Sequence, residues 1–94
     1  MADTEQLLLE IRGAVDQLAG TARAERDAAR GTVARHLADK YSDITDRATL
    51  REAARGSQAL FRGGMGSFQD VGTAEMHDAV ERLRRALSRA ARRW

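Results

Sequence analysis

Apolar residues recur at spacings of three and four along residues 4–20, which is the pattern of an amphipathic helix. The core-facing seam of this first helix consists of Leu8, Ile11, Val15 and Leu18. Thr4 precedes the seam as a predicted N-cap, with Glu5 in the first turn, where the helix dipole favours an acid. Gly20 is expected to end or kink the helix, because glycine is a weak helix former.

Residues 21–41 continue the helical periodicity and predict a second helix. Its predicted core face consists of Ala29, Val33, Leu37 and Tyr41. Gly31 weakens this helix by roughly 1 kcal/mol relative to alanine, so a break at Gly31 is compatible with the pattern. Residues 42–46 carry polar and turn-forming side chains and are predicted to form a loop or the frayed end of the second helix.

A third helix is predicted from a capping signal. Thr49 and Glu52 match the box in which each side chain satisfies a free backbone N–H of the other residue. The helix is expected to run to about Phe61 and to stop at Gly63 and Gly64. Its predicted core residues are Leu50, Ala53, Ala54 and Leu60.

The fourth helix has the clearest pattern of the chain. Thr73 can cap it, and Glu75 lies in its first turn. Its apolar stripe consists of Met76, Val80, Leu83, Leu87, Ala90 and Trp94. Arginines occupy the opposite face, notably Arg85, Arg89 and Arg92.

These patterns predict an all-α fold. No stretch alternates as a β-strand would, so we expect a single domain over residues 1–94, built as a small bundle of about four helices. A glycine-rich loop would join helices three and four. The chain has no cysteine, which excludes disulfides and thiolate chemistry, and no proline, which suits uninterrupted helices.

Charge is distributed unevenly along the chain. The computed pI is 9.9, yet the formal net charge is only +2. Residues 1–20 carry four acids against Arg12, whereas residues 81–94 carry six arginines against Glu81. We therefore expect the acidic first helix to lie beside the basic last one. The longest apolar run, at Leu7–Leu9, is too short for a signal peptide or a membrane span, which favours a cytoplasmic location.

The glycine-rich segment has two interpretations. A phosphate-binding loop would need a preceding strand and a lysine, and the sequence offers neither. A structural turn would use Gly63, Gly64, Gly66 and Gly72 for the backbone, with Met65 and Phe68 turned onto the core. Alternatively, a compact loop presents a recognition surface. Its candidate binding residues are Met65, Ser67, Phe68, Gln69 and Asp70. A weaker hypothesis places a small anion at the start of the fourth helix, beside Gly72 and Thr73.

The sequence offers little catalytic machinery. His77 and Glu81 share one helix face, but two ligands from one helix do not make a metal site. Ser67, Asp70 and His77 are the residue types of a hydrolytic triad, yet no nucleophile elbow or oxyanion donors accompany them. No cofactor motif is present. We expect a protein without enzymatic activity, metal or cofactor.

The arginine-rich C-terminus leaves three interpretations open. It is a solvated helix face, a docking face for an acidic partner protein, or a surface for nucleic acid or anionic membrane. The low net charge and the scarcity of aromatic residues for stacking count against nucleic acid. The apolar stripe of helix four packs either within one chain or across a homodimer.

The segment Gly63–Phe68, followed by Asp70, resembles a motif of a small bacterial family of unknown function. That family carries Gly-Gly-Met-Gly-Ser, then Phe or Leu and Asn-Asp-Leu, after a short helix. In this chain Gln69 replaces the asparagine. The resemblance suggests a bacterial, immunity-like or regulatory binder of another protein.

Together these features predict a non-enzymatic protein-interaction module. The predicted binding surface is the loop at residues 63–70 with the nearby arginines Arg85, Arg89 and Arg92. A nucleic-acid-associated protein that uses the arginine-rich helix is the alternative.

Overall fold

A computed structural model describes residues 3–61 and 73–92 of the chain. It contains four α-helices: α1 (Thr4–Ala24), α2 (Ala28–Ser42), α3 (Arg47–Ser57) and α4 (Ala74–Ala90). A short 3-10 helix, Gln58–Phe61, continues α3. No strand occurs within these two ranges. The all-α prediction with four helices is confirmed.

The first helix begins and ends elsewhere than predicted. Asp3, rather than Thr4, is the N-cap, and its carboxylate accepts a hydrogen bond from the backbone N–H of Gln6 at 2.8 Å. Gly20 does not end α1, which continues to Ala24. The additional turn buries Ala22 and adds backbone hydrogen bonds, which offsets the cost of an exposed glycine. The predicted seam is confirmed as buried.

The chain reverses between α1 and α2 at residues 25–27, where a continuous helix was predicted. The turn is a Schellman motif: the N–H of Asp27 bonds to the carbonyl of Ala22 at 2.8 Å, and that of Arg26 to the carbonyl of Arg23 at 3.3 Å. Asp27 then caps α2 by accepting from the N–H of Arg30. The second helix therefore begins at Ala28, seven residues later than predicted.

The face of α2 that packs on the core is only partly the predicted one. Leu37 and Tyr41 are buried as expected, and Ala34 joins them. Val33 is half-buried and Ala29 is exposed. Gly31 does not break the helix.

The third helix is capped by Asp46 and not by the predicted box at Thr49 and Glu52. Asp46 accepts hydrogen bonds from both the N–H and the hydroxyl of Thr49, at 2.8 and 2.9 Å. These bonds lower the pKa of Asp46. The predicted core contacts of Leu50 and Ala54 are confirmed, while Ala53 and Leu60 are half-buried.

The fourth helix follows its prediction most closely. Thr73 caps it, accepting from the N–H of Met76 at 3.0 Å. The stripe from Met76 to Ala90 is buried against the other helices of the same chain. Trp94, the last residue of the predicted stripe, lies outside the described residues.

Helix α1 is the central element and contacts all three other helices. It runs antiparallel to α4, since Thr73 bonds to Glu25, Arg82 to Gln17, and Arg89 to Glu10. Gly13 permits the close approach: a Cβ at this position would lie 2.8 Å from the guanidinium of Arg82. Within the described residues, no helix combines the length and apolarity needed to cross a membrane.

Candidate protein-binding surfaces

The binding surface predicted from the sequence is only partly described by the structure. Thr73, Arg85, Arg89 and Arg92 belong to the described part. The remaining predicted residues lie outside the described residues: Gly63, Gly64, Met65, Gly66, Ser67, Phe68, Gln69, Asp70 and Gly72. Their assignment to a turn or to a recognition loop stays a prediction.

The described members of that surface are spread along the length of α4. Thr73 lies at the end where α1 finishes, because its hydroxyl bonds to Glu25. Arg89 lies near the opposite end, beside Glu10 in the first half of α1. With a rise of 1.5 Å per residue, the helix separates Thr73 from Arg89 by about 24 Å. A partner that contacts both would have to follow most of the helix.

Most arginines of α4 already contact other side chains of the same chain. Arg89 forms an ion pair with Glu10 at 2.8 Å, which confirms that acidic α1 lies beside basic α4. Arg84 holds Glu81 by two hydrogen bonds at 2.7 and 2.9 Å, and these lower the pKa of Glu81. Arg82 donates to Gln17 at 2.8 Å. The carboxylates neutralise part of the positive charge on this face.

Arg85 on α4 and Arg92, two residues beyond its end, are open to solvent and weakly held or unpaired among the described residues. Arg85 lies 3.9 Å from Glu81, but its side chain is 74% exposed. Arg92 is exposed, and no ion pair or side-chain hydrogen bond links it to another described residue. These two are the members of the predicted surface that keep the freedom to meet a partner.

A cavity of about 420 Å³ lies along α4 beside α1. Its walls are charged and include Glu10, Glu81 and Arg85, with His77 at one side. Within residues 3–61 and 73–92, no group of three metal-ligating side chains occurs.

A second surface, which the sequence did not predict, lies between α2 and the end of α3. This α2–α3 groove encloses about 420 Å³. Its apolar wall is formed by Val33, Leu37 and Leu60, and His36 and Lys40 stand at its rim. Among the described residues, no carboxylate lines it. The one sequence signal was that Val33 and Leu60 occupy apolar positions at the borders of their helical faces.

A polar cluster centred on buried Ser57 lies at the α2–α3 groove, which Ser57 and Lys40 line. The hydroxyl of Ser57 accepts from Lys40 Nζ at 3.0 Å and lies 2.9 Å from the hydroxyl of Tyr41. Ser57 itself donates to the carbonyl of Ala53 at 3.0 Å. Arg12 extends the cluster to α1 by donating to the carbonyl of Tyr41. Burial raises the pKa of Tyr41.

Serine, lysine and tyrosine are also the residue types of certain hydrolytic sites, but the geometry here is structural. Lys40 donates to the serine oxygen, whereas a general base would accept its proton. The proton of Ser57 is directed to a backbone carbonyl of its own helix. Ser57 is 4% exposed, which leaves no room for attack on a substrate. The cluster fixes α2 against α3 and holds Lys40 at the rim.

No protein-family model, curated protein or solved structure matches this chain.

Proposed function

We propose that this chain is a protein-interaction module that binds a segment of a partner protein in the α2–α3 groove. The observation that carries the proposal is the combination of an apolar wall with basic groups that no carboxylate among the described lining residues neutralises. Val33 and Leu60 are half-buried. A partner that covers their exposed apolar surface would remove it from water, which favours binding.

The chemistry of the groove defines the partner segment. Apolar side chains would fill the space beside Val33, Leu37 and Leu60. One or more carboxylates would meet Lys40 and His36 at the rim. Lys40 is held by its bond to Ser57, so little side-chain freedom is lost when it pairs with a carboxylate.

The loop at residues 63–70 and the exposed Arg85 and Arg92 are a second contact region in this proposal. An immunity-like or regulatory role, the resemblance to the bacterial family and a cytoplasmic location belong to the same hypothesis. A homodimer through α4 would have to use its charged face, since the apolar stripe is buried within the chain.

Nucleic-acid binding is the less favoured function. Glu10 and Glu81 contact Arg89, Arg84 and Arg85, so the basic helix presents less net charge to a polyanion than its sequence suggests. A generic duplex would therefore gain little from α4.

The proposal is tested by capture from a lysate of the source organism, compared across matched variants. Lys40→Gln keeps a donor for Ser57 but removes the charge, and Ala59→Glu places a carboxylate at an exposed position that lines the groove. Arg84→Gln, at an exposed position of α4 outside both contact regions, is the control. We expect a protein that the wild type and the control retain and that both groove variants lose. Equal capture by all four proteins, or capture of nothing at low salt, would contradict the proposal.

A further inference from the structure

A large cleft lies between α1 and α2, on the other side of α2 from the groove. It encloses about 720 Å³ and opens beside the turn that joins the two helices. Its floor is made of small side chains: Ala19, Ala22, Ala28, Gly31, Ala34 and Ala38. Three arginines stand around this floor, Arg23 and Arg26 at the turn and Arg35 further along α2. We call this region the arginine cleft.

The three guanidinium groups of the arginine cleft have no partner within residues 3–61 and 73–92. None of them takes part in an ion pair or a side-chain hydrogen bond there, and all three residues are exposed. Two carboxylates also line the cleft, but Asp27 is committed to Arg30 at 2.7 Å and to the cap of α2. Asp16 is the remaining acid, so the basic groups outnumber the free acid by three to one.

The backbone conformation of Arg26 is a second, independent observation. Its φ of 56° lies in the left-handed region, and it is the one non-glycine residue with a positive φ among the described residues. It occupies the position of a Schellman motif at which glycine is the usual residue, because a Cβ is strained there. A residue that strains the backbone, and whose side chain has no partner among the described residues, is the kind of departure found at functional sites.

We propose that the arginine cleft binds a small molecule that carries phosphate groups. Guanidinium groups match phosphate oxygens with paired, charge-assisted hydrogen bonds. Arg23 and Arg26 at the turn would hold one phosphate, and Arg35, about 10 Å further along α2, would contact a second anionic group. The alanine floor leaves space for the apolar part of the ligand, and the volume is that of an ordinary ligand site. This site is separate from the α2–α3 groove.

The test is calorimetric titration of the full chain with pyrophosphate and with AMP, at low salt. Arg26→Gly is the informative variant, because it removes a guanidinium group and also relieves the backbone strain of a positive φ. We expect its Tm to rise by about 4 °C. We expect its affinity for either ligand to fall about tenfold. Arg23→Gln should weaken binding to a similar degree without raising Tm, while Arg92→Gln, just beyond the end of α4, should leave binding unchanged.

The outcomes separate the alternatives. Opposite shifts of Tm and affinity in Arg26→Gly support the site, since a purely structural residue would move only the Tm. No saturable heat from either ligand at about 10 mM, where a Kd of about 1 mM would saturate the site, overturns it. Binding that Arg26→Gly and Arg23→Gln leave unchanged overturns it as well. A duplex oligonucleotide is the third ligand, and a protein that binds duplex but neither small ligand would also refute the proposal.

Discussion

The arginines of α4 and those of the arginine cleft differ in what faces them. On α4, Glu10 and Glu81 hold Arg89 and Arg84 at distances below 3 Å. Around the cleft, Arg23, Arg26 and Arg35 form no ion pair in the part of the chain that the structure describes, although Asp16 and Asp27 also line the cleft. The density of arginine along a sequence is therefore a poor guide to the charge that a ligand encounters. What matters is which acids the fold brings to the same face.

The largest expected effect on stability comes from the apolar stripe of α4, in contrast to its charged face. Leu83 is fully buried, so Leu83→Ala should lower the free energy of unfolding by about 2–5 kcal/mol. Arg89→Gln breaks a half-exposed ion pair with Glu10 and should cost less than about 1 kcal/mol. Urea denaturation of both variants measures the difference. Equal losses of unfolding free energy in the two variants would contradict the prediction that the buried stripe stabilises the protein more than the ion pair does.

A smaller effect is expected at the turn that opens the arginine cleft. Asp27 caps α2 and is bonded to Arg30, whose N–H and guanidinium hold the pKa of Asp27 below 3.8. Asp27→Ala should lower the free energy of unfolding by about 1 kcal/mol at neutral pH.

The pH dependence of the same cap has a definite sign. Because the folded pKa is lowered, the stabilisation is fully present above the unfolded value of 3.8 and is lost as pH falls through the folded pKa. Asp27→Asn keeps the cap but does not titrate, so it is the matched control. Thermal unfolding from neutral to acidic pH should show a steeper loss for the wild type than for Asp27→Asn. Parallel curves would show that the cap contributes nothing through its charge.

The smallest expected effect on stability comes from replacing two glycines of α1, one facing solvent and one facing α4, by alanine. Gly20 faces solvent, and a Cβ there would meet nothing within 4 Å, so Gly20→Ala should stabilise the protein by about 0.5–1 kcal/mol. Gly13 faces Arg82, and Gly13→Ala should gain less, because that guanidinium must move away from a Cβ 2.8 Å distant. Thermal unfolding of both variants compares them. A larger gain at Gly13 than at Gly20 would contradict the packing of Arg82 on α1.

Helix starts and core faces were predicted best where all local signals agreed and no second cap residue was nearby. Thr73 and the stripe from Met76 to Ala90 agree with the structure, because the cap, the first-turn acid and the periodicity coincide. The predicted start of α3 was wrong because Asp46 and Thr49 are both good N-cap residues. In the structure Asp46 is the N-cap, and its carboxylate accepts hydrogen bonds from Thr49. The residue type could not decide between them.

Other features depend on contacts that a sequence does not display. Gly20 suggested a helix end, yet α1 ends after Ala24, because Ala22 is buried against the rest of the fold. The α2–α3 groove and the arginine cleft arise from how α2 packs against two neighbours, so neither could be predicted from periodicity. Arg26, in a position suited to glycine, gave no signal at all.

The claim that a phosphate ligand binds the arginine cleft, and not the arginines of α4, can be tested in one NMR titration. The full chain, labelled with ¹⁵N, would be titrated with pyrophosphate at low salt, and amide shifts would be followed residue by residue. We predict that the largest shifts cluster around Arg23, Arg26 and Arg35. Shifts concentrated between Arg84 and Arg92, with the turn between α1 and α2 unchanged, would contradict the account.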